Sequence, residues 1–539
     1  MRLFTTVAGL RCYLKLCREK QSQLALPHLA INDEGLDAAQ TQRAATLAQL
    51  QIGFVPTMGA LHAGHLSLID RARRENQLVV VSIFVNPLQF GPNEDFSRYP
   101  RTLEHDRALC EQASVDVVFA PTSEEMGVIP PTETRIEPPK SMLTGLCSAF
   151  RPGHFEGVAT IVTKLLNLVQ PDRAYFGQKD AQQIAIIGQI VRDLDLPIEI
   201  VPCSIVRELS GLALSSRNQY LSDEEKEKAA TLYRGLSEAE KLFRSGERSS
   251  ATLVQAVKLE LAKVPVLQPE YIELVDPTTL QPLQTVADEG LLALAARLGS
   301  TRLIDNCTLR DRTPMIAIDG PAGAGKSTVA RLVATQLNLF YLDTGAMYRA
   351  LTWFVLQAGI DLSDEPTVAE LASQCEIDFQ ALDATTPLVF VNGQDVTQII
   401  RTPEVTAQVS TIAAQASVRE ALVKQQQAYG RRGGIVVDGR DIGTHVFPDA
   451  ELKIYLTATI QERARRRLLD LKNLGQPEMS LQDLEQAIFE RDRKDSTRAI
   501  SPLRKAEDAI EIQTDAMTVA QVVNAIVHLY QEVTERVTV

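Results

Sequence analysis

No two cysteines in this sequence stand at CxxC spacing, and none joins a histidine at a metal-binding interval. The seven cysteines (Cys12, Cys17, Cys110, Cys147, Cys203, Cys307 and Cys375) are scattered and odd in number. That argues against a disulfide framework or a zinc module and points to a reducing, cytosolic compartment. Long apolar runs are missing as well. A stretch such as LVVVSIFV (78–85) falls far short of the roughly 18 residues that span a bilayer, so no membrane partner is expected. The opening MRLFTTVAGLRCYLK is interrupted by Arg11 and Lys15 and reads as a strand entering a helix, not as a signal peptide. Positive charge is in deficit: 55 Lys and Arg face 68 Asp and Glu, a net charge of −13. A nucleic-acid backbone is gripped by clustered cations, so no nucleic-acid partner is expected, while small anions in local basic pockets remain open. No internal repeat is visible.

What is present is ordinary globular material, 45% hydrophobic and 23% charged over 539 residues. At about 100–200 residues per domain, that length allows three or four cores. The clearest seam is RLIDNCTLRDRTPMIAID (302–319), where an apolar stretch gives way to charge and Pro314 before a new apolar run. It reads as a linker and sets the expected domains at 1–310 and 311–539, with the first divided into about 1–205 and a smaller 206–305. Both halves alternate short Val/Ile-rich runs with helical periods, the pattern of α/β folds with parallel sheets. IGFVPTMG, LVVVSIFVNP, VDVVFAP, RAYFGQKD and IEIVPCSIV are the expected strands of the first half, and HFEGVATIVTKLLNLV is a helix that stops at Pro171. From about residue 222 the texture is Glu/Lys/Ala-rich helix, followed by YIELVDP and GLLALAARLG. Residues 20–48 are polar, lack strand signals and read as a mobile insertion.

In the second half GPAGAGKS (320–327) satisfies GxxxxGK[ST] between a strand, MIAID, and a helix, STVARLVATQL, the context a phosphate-binding loop requires. Gly320, Pro321, Ala322, Gly323, Ala324, Gly325, Lys326, Ser327 and Thr328 are thus the expected ATP-phosphate cradle. Glycines let backbone N–H groups turn onto the phosphates, Lys326 neutralises the β/γ oxygens, and Ser327 sits on Mg2+. LDTGAMYR (342–349) lies one helix further on, and VVDGRDIGTHVFP (436–448) places Asp438, Arg440 and Asp441 at the end of a buried-type strand. QERARRR (461–467) and ERDRKDSTR (490–498) are basic helical runs; by themselves such runs are most often solvated faces. Asn392-Gly393 between strand-like flanks predicts a two-residue hairpin.

Taken together, these segments resemble the cytidylate kinase family from about residue 314 onward. The shared pieces are GPAGAGKST, DTGAMYR, PEVTAQVSTIAAQASVRE, DGRDIGTHVFP and ERDRKDSTRA. The resemblance implies a P-loop nucleoside-monophosphate-kinase fold and phosphoryl transfer from ATP to CMP or dCMP. It implies that Thr344, Arg349, Ser410, Arg419, Arg440, Asp441, Arg491 and Arg498 surround the acceptor, with Lys326 and Asp441 catalytic. Thr344 stands where many members have Ser, which keeps the hydroxyl. Such chemistry asks for positioning and charge neutralisation.

The first half turns on PTMGALHAGHLSLI (56–69). His62 and His65 are three apart after a glycine turn, at the start of an expected helix, and so share one side of its first turn. Two imidazoles beside helix N–H groups suit the phosphates of ATP, above all the departing pyrophosphate. GLALSSRN (211–218) offers small hydroxyls and Arg217, and FGQKDAQQ (176–183) offers Lys179 and Asp180. An HxGH element with such loops marks nucleotidyl transferases that cut ATP between the α and β phosphates.

Over essentially residues 1–310 the chain resembles the pantothenate synthetase family, through VPTMGALHAGH, SIFVNPLQF, RYPRTLEHD, the RPGHFEGV segment to Gln183, and GLALSSRN. The implied fold is a Rossmann-like HxGH nucleotidyltransferase with a small α+β subdomain. ATP contacts are implied at Met58, Gly59, Ala60, Leu61, His62, Ala63, Gly64, His65, Gly177, Gln178, Lys179, Asp180, Val206, Leu214, Ser215, Ser216 and Arg217. Gln89 and Gln183 are implied to bind pantoate, with Gln89 also near β-alanine, and His62, His65, Lys179 and Arg217 are the catalytic set. The family makes His65 a proton donor; stabilisation of pyrophosphate charge is the role the chemistry asks for. Ser210 stands where members commonly carry Asp. Family synthetases are commonly dimers, so a homodimer through this half is expected.

The preferred reading is one chain with two enzymes, using ATP and Mg2+. A catalytically silent ATP sensor in the first half, or an adenylating enzyme for another acid, are the alternatives. The first site releases AMP and the second takes CMP, so neither product feeds the other.

Overall fold

Val/Ile-rich runs of three to six residues are too short for helices, and in both halves they pair as parallel strands. The computed structural model describes residues 1–25, 50–92, 94–128, 134–380, 388–431, 433–473, 480–497 and 502–538. They fall into two units that meet in sequence between Asp311 and Arg312.

The first unit holds a six-stranded parallel sheet of β1 (Arg2–Phe4), β2 (Ile52–Thr57), β3 (Leu78–Ile83), β4 (Val117–Phe119), β5 (Arg173–Gly177) and β6 (Glu199–Cys203), ordered β1-β4-β3-β2-β5-β6. Successive side chains of β2 enter opposite cores. Phe54 packs with Leu10, Val80 and Val158, and Val55 packs with Ile69, Val79 and Tyr175, as the period of two requires. From β2 the chain steps to β3 and β4 on one side and later to β5 and β6 on the other. The gap between β2 and β5 is therefore the switch point at which such sheets bind ligands.

A second layer carries β7 (Leu267–Val275), β8 (Glu289–Leu298) and β9 (Thr301–Arg310), an antiparallel sheet. One core joins it to the helices Thr231–Arg244 and Ser250–Ala262. Another joins it to Phe155 and Ile186 of the main body.

Two expectations are corrected here. Residues 302–310, read as linker, form β9, which pairs with β8 from Thr301↔Leu298 to Arg310↔Glu289. Its charges are partnered rather than solvated: Arg302 with Glu270, Asp305 with Arg207, and Arg310 with Glu289. Residues 20–25, read as the start of an insertion, continue the helix Val7–Ala25, because Lys, Gln, Leu and Ala are good helix formers however polar the stretch looks. The rest of that stretch, from residue 26, lies outside the described residues.

The second unit has a five-stranded parallel sheet of β10 (Ile316–Asp319), β11 (Phe340–Asp343), β15 (Ile435–Asp438), β16 (Leu452–Thr457) and β17 (Ile510–Gln513), ordered β11-β15-β10-β16-β17. A small antiparallel sheet of β12 (Ile377–Gln380), β13 (Leu388–Val391) and β14 (Gln394–Asp395) stands apart. Asn392 and Gly393, with φ of 48° and 82°, make its tight turn, as the sequence predicts.

Gly157 gives a test of sign. It lies inside the helix His154–Val169, where Gly→Ala ordinarily stabilises by about 1 kcal/mol. A Cβ there would stand 2.3 Å from the Leu88 carbonyl oxygen and 2.8 Å from the Gln89 nitrogen. Gly157→Ala is expected instead to destabilise the first unit by about 1–3 kcal/mol, as read by denaturant unfolding.

Candidate active sites

The HxGH turn is set by a carboxylate that sequence reading did not assign. Gly59 and the non-glycine Ala60 both take positive φ, 80° and 49°. The fully buried Asp106 accepts hydrogen bonds from the N–H groups of Ala60 at 3.0 Å and Leu61 at 2.8 Å. Thr102 Oγ1 donates to the same carboxylate. Asp106 lies within RYPRTLEHD, but nothing in its spacing shows which backbone it serves.

Past that turn, His62 caps the helix Ala63–Glu75, its Nδ1 accepting from the Gly64 N–H at 3.1 Å. His65 Nδ1 accepts from the His62 N–H at 3.4 Å, and the two rings lie 4.1 Å apart. With Nδ1 an acceptor in both rings, the proton of each neutral imidazole sits on Nε2. Burial, with Lys179 adding, pushes His62 down to about 4. Burial, then His62 and Lys179, push His65 down to about 3. At neutral pH both rings are therefore uncharged hydrogen-bond donors at a helix N-terminus.

They open into a cavity of about 570 Å³ at the switch point. Met58, His62, Gly64, His65, Gln89, Gly177, Lys179, Asp180, Gln183, Val206, Leu214, Ser215, Ser216 and Arg217 all line it. Gly59, Ala60, Leu61, Ala63 and Gln178 are not on the wall; they build the turns that carry it. Ser216 Oγ donates to the Ala60 carbonyl at 3.2 Å, docking the SSRN loop on the HxGH turn. Arg217 makes paired 2.9 Å bonds to Asp95. Burial favours the neutral form of Asp95, but the Arg217 hydrogen bonds outweigh it and hold the carboxyl below its usual range. Ser210 Oγ accepts from the Leu212 N–H at 3.4 Å, a turn bond that Ser and Asp side chains both can make.

Gln89 is tethered from several sides. Its amide donates to Met58 Sδ at 2.8 Å and accepts from Asn86 at 3.2 Å. Its carbonyl accepts from His154 Nδ1 at 2.8 Å. Arg151 donates to His154 Nε2 at 3.0 Å and pairs with Glu94 at 2.6 Å. Asn86, Asp95, Arg151 and His154 also line the cavity. Asn86, Arg151 and His154 lie within SIFVNPLQF and the RPGHFEGV segment, where no local spacing marks a role for them.

In the second unit the loop after β10 needs its glycines: at Gly320, with φ of 148°, a Cβ would stand 2.1 Å from the Leu456 carbonyl oxygen. Lys326 Nζ folds back on the Pro321 carbonyl at 2.8 Å. Burial, and then Arg440, push it down to about 7. Ser327 Oγ donates to Asp438 Oδ2 at 2.6 Å, and Tyr341 donates to Oδ1 at 2.8 Å.

Thr344 Oγ1 donates to the Asp438 carbonyl at 2.7 Å. Arg349 pairs with Asp343 at 3.0 Å, Arg419 with Asp441, and Arg440 with Asp495. Burial, then Arg440 and Arg467, push Arg491 below its ordinary value, so three guanidiniums crowd one region. The Nε groups of Arg349 and Arg419 are buried without a hydrogen-bond partner, spare donors of the kind an anion would take up. Ser410 is exposed on the helix Pro403–Ile412, and Arg498 lies outside the described residues. Arg463, from the QERARRR run, is buried rather than solvated and donates to the Ala322 carbonyl at 3.0 Å, bracing the phosphate loop.

His62, His65 and His154 all titrate low, the last pushed down to about 3 by burial and Arg151. The unfolded chain binds these protons near its ordinary pKa of about 6.5, and the folded chain does not. Their contribution to stability is thus present above about 6.5 and lost as pH falls toward 3. Unfolding midpoints of the first unit are expected to drop from about pH 7 to about pH 5, with a shallower drop in His65→Gln and His154→Gln.

Comparison with known proteins follows this division. A family model described as Pantoate-beta-alanine ligase matches residues 33–308, and one described as Cytidylate kinase matches residues 316–532. A Nostoc sp. protein named Bifunctional pantoate ligase/cytidylate kinase is 62% identical over 539 residues, 99% of each chain. A protein of the same name from Synechococcus elongatus is 57% identical over 489 residues, 90% of this chain and 93% of its own. The solved pantothenate synthetase from Thermus thermophilus is 45% identical, covering 57% of this chain and 99% of its own, with a TM-score of 0.48. Matched by one model in each half, and end to end by relatives that carry both names, the chain belongs to the bifunctional pantoate ligase/cytidylate kinase family.

Proposed function

We propose that the chain runs two ATP-dependent reactions at two sites, within 1–310 and 311–539. At the first site a carboxylate oxygen of pantoate attacks the α-phosphorus of ATP. The bond to the β-phosphate oxygen breaks, and pyrophosphate leaves. The amine of β-alanine then attacks the acyl carbon of the adenylate; the bond to AMP breaks, a proton leaves the nitrogen, and pantothenate forms. His62 and His65 donate Nε2–H bonds to the triphosphate, while Lys179, and Arg217 once it exchanges Asp95 for phosphate, meet the charge that develops as pyrophosphate departs. Gln89 and Gln183 orient pantoate through their amides. The observation that carries this reading is the pair of neutral, Nδ1-anchored imidazoles sharing one cavity with Lys179.

At the second site the CMP or dCMP phosphate oxygen attacks the γ-phosphorus of ATP, and ADP leaves. Arg349, Arg419, Arg440, Arg491 and Arg498 hold the acceptor with Thr344, Ser410 and Asp441. The cradle from Gly320 to Thr328 holds the donor, and Lys326 follows the transferred group. The Ser327 hydroxyl and Asp438 carboxylate, 2.6 Å apart beside the cradle, are the hard oxygen donors that suit Mg2+. Bound there with ATP, the ion would neutralise triphosphate charge.

All seven cysteines are unpaired, in keeping with a cytoplasmic place of work, and no helix among the described residues is long and apolar enough to cross a membrane. A homodimer through the first unit, the habit of the family, is open to sedimentation analysis.

Product analysis of the purified chain with ATP, Mg2+ and each substrate set tests both assignments. His65→Ala is expected to lower pantothenate formation by about 10²–10³-fold and leave CDP formation intact. Lys326→Ala should do the reverse. CDP without pantothenate from the unmodified chain would make the first unit a binding module.

A further inference from the structure

The two cation-bearing loops of the first site leave the sheet at different points, Lys179 after β5 and Arg217 on the long loop after β6. Both are held by adjacent residues of β9, in the stretch that reads as a linker from sequence. Asn306 Nδ2 donates to two successive carbonyls, those of Gln178 and Lys179, each at 3.0 Å. The neighbouring Asp305 takes Arg207 in a paired contact at 2.6 and 3.0 Å. Arg207 in turn donates to the Gly211 carbonyl at 3.1 Å and lies 4.3 Å over the Tyr233 ring, while Arg207 and Ala213 bridge the base of the loop that ends in Ser215–Arg217. The Asn306 N–H donates to Asp305 Oδ1 at 2.8 Å, tying the two anchors to each other. Both residues are buried, with 3% and 6% exposure.

We propose that Asp305 and Asn306 form a clamp that sets the spacing between the Lys179 loop and the Ser215–Arg217 loop, which makes both of them positioning residues for adenylation. The proposal rests on the first-site reaction given above. An amide is suited to the role because one –NH2 carries two hydrogens and can satisfy two carbonyls at once. A carboxylate in its place would set negative charge against both. The grip on the departing pyrophosphate needs both loops at a fixed distance, and a misplacement of about 1 Å costs about 10²-fold in rate. Once pyrophosphate has left, attack of the amine on the adenylate no longer uses that grip. The clamp therefore acts on the first half-reaction and spares the second.

The test separates the two half-reactions in the full-length chain. Pantoate-dependent exchange of labelled pyrophosphate into ATP reads adenylation. Conversion of chemically prepared pantoyl adenylate and β-alanine to pantothenate reads the amine step, and CDP formation normalises the amount of chain. Asn306→Asp is expected to lower exchange by about 10²-fold and Asp305→Asn by about tenfold, with the amine step within about twofold of the unmodified chain in each. Exchange left intact in both variants would overturn the clamp. So would a parallel loss of exchange and amine step in both, which marks a purely structural role. No exchange in the unmodified chain would instead remove the first-site reading on which the clamp rests.

Discussion

Loops that leave neighbouring parallel strands meet at one edge of the sheet, and both proposed sites depend on such a pair. In the first unit β2 and β5 are neighbours, so the HxGH turn and the Lys179 turn leave the same edge of the sheet. In the second unit β10 and β15 are neighbours, which brings Ser327 and Asp438 into hydrogen-bond contact across 111 residues of chain. Parallel pairing sends the C-terminal ends of both strands to one edge. Helix N-termini collect there too, and each adds partial positive charge where an anion is to bind.

A site built for a highly charged anion has to stay stable when the anion is away, and each unit handles its cations accordingly. Arg217 lies against Asp95, Arg440 against Asp495, Arg419 against Asp441 and Arg349 against Asp343. An unpaired buried charge costs several kcal/mol, whereas a paired one is tolerated. In the proposed reactions, incoming phosphate competes with carboxylates rather than filling an empty basic hole. The histidines take the other route and stay neutral, presenting donors with no charge to compensate.

The motifs proposed to meet phosphate stand out in the sequence because such chemistry calls for particular residues at short spacing. The cradle from Gly320 to Ser327, the pair His62 and His65, and the SSRN loop each lie within a few residues, so one segment shows the whole pattern. Residues that hold those segments in place were not legible. Asp106 serves backbone 45 residues away, and Asn306 serves backbone 127 residues away. Nothing local to either marks the partner. The same blindness made β9 look like a linker, since its Arg and Asp residues are charged in sequence and paired in space.

The sequence by itself determined the strand and helix periods, the turn chemistry at Asn392-Gly393 and the short motifs from which the proposed sites are built. These follow from local sterics and from contacts within a turn or two of the backbone. Only the tertiary structure decided the tautomers of His62 and His65, the carboxylate partners of the arginines, the role of Arg463 as a brace and the grip of β9 on two loops. Each of those depends on which strands become neighbours, a matter of long-range burial that no short stretch of residues contains.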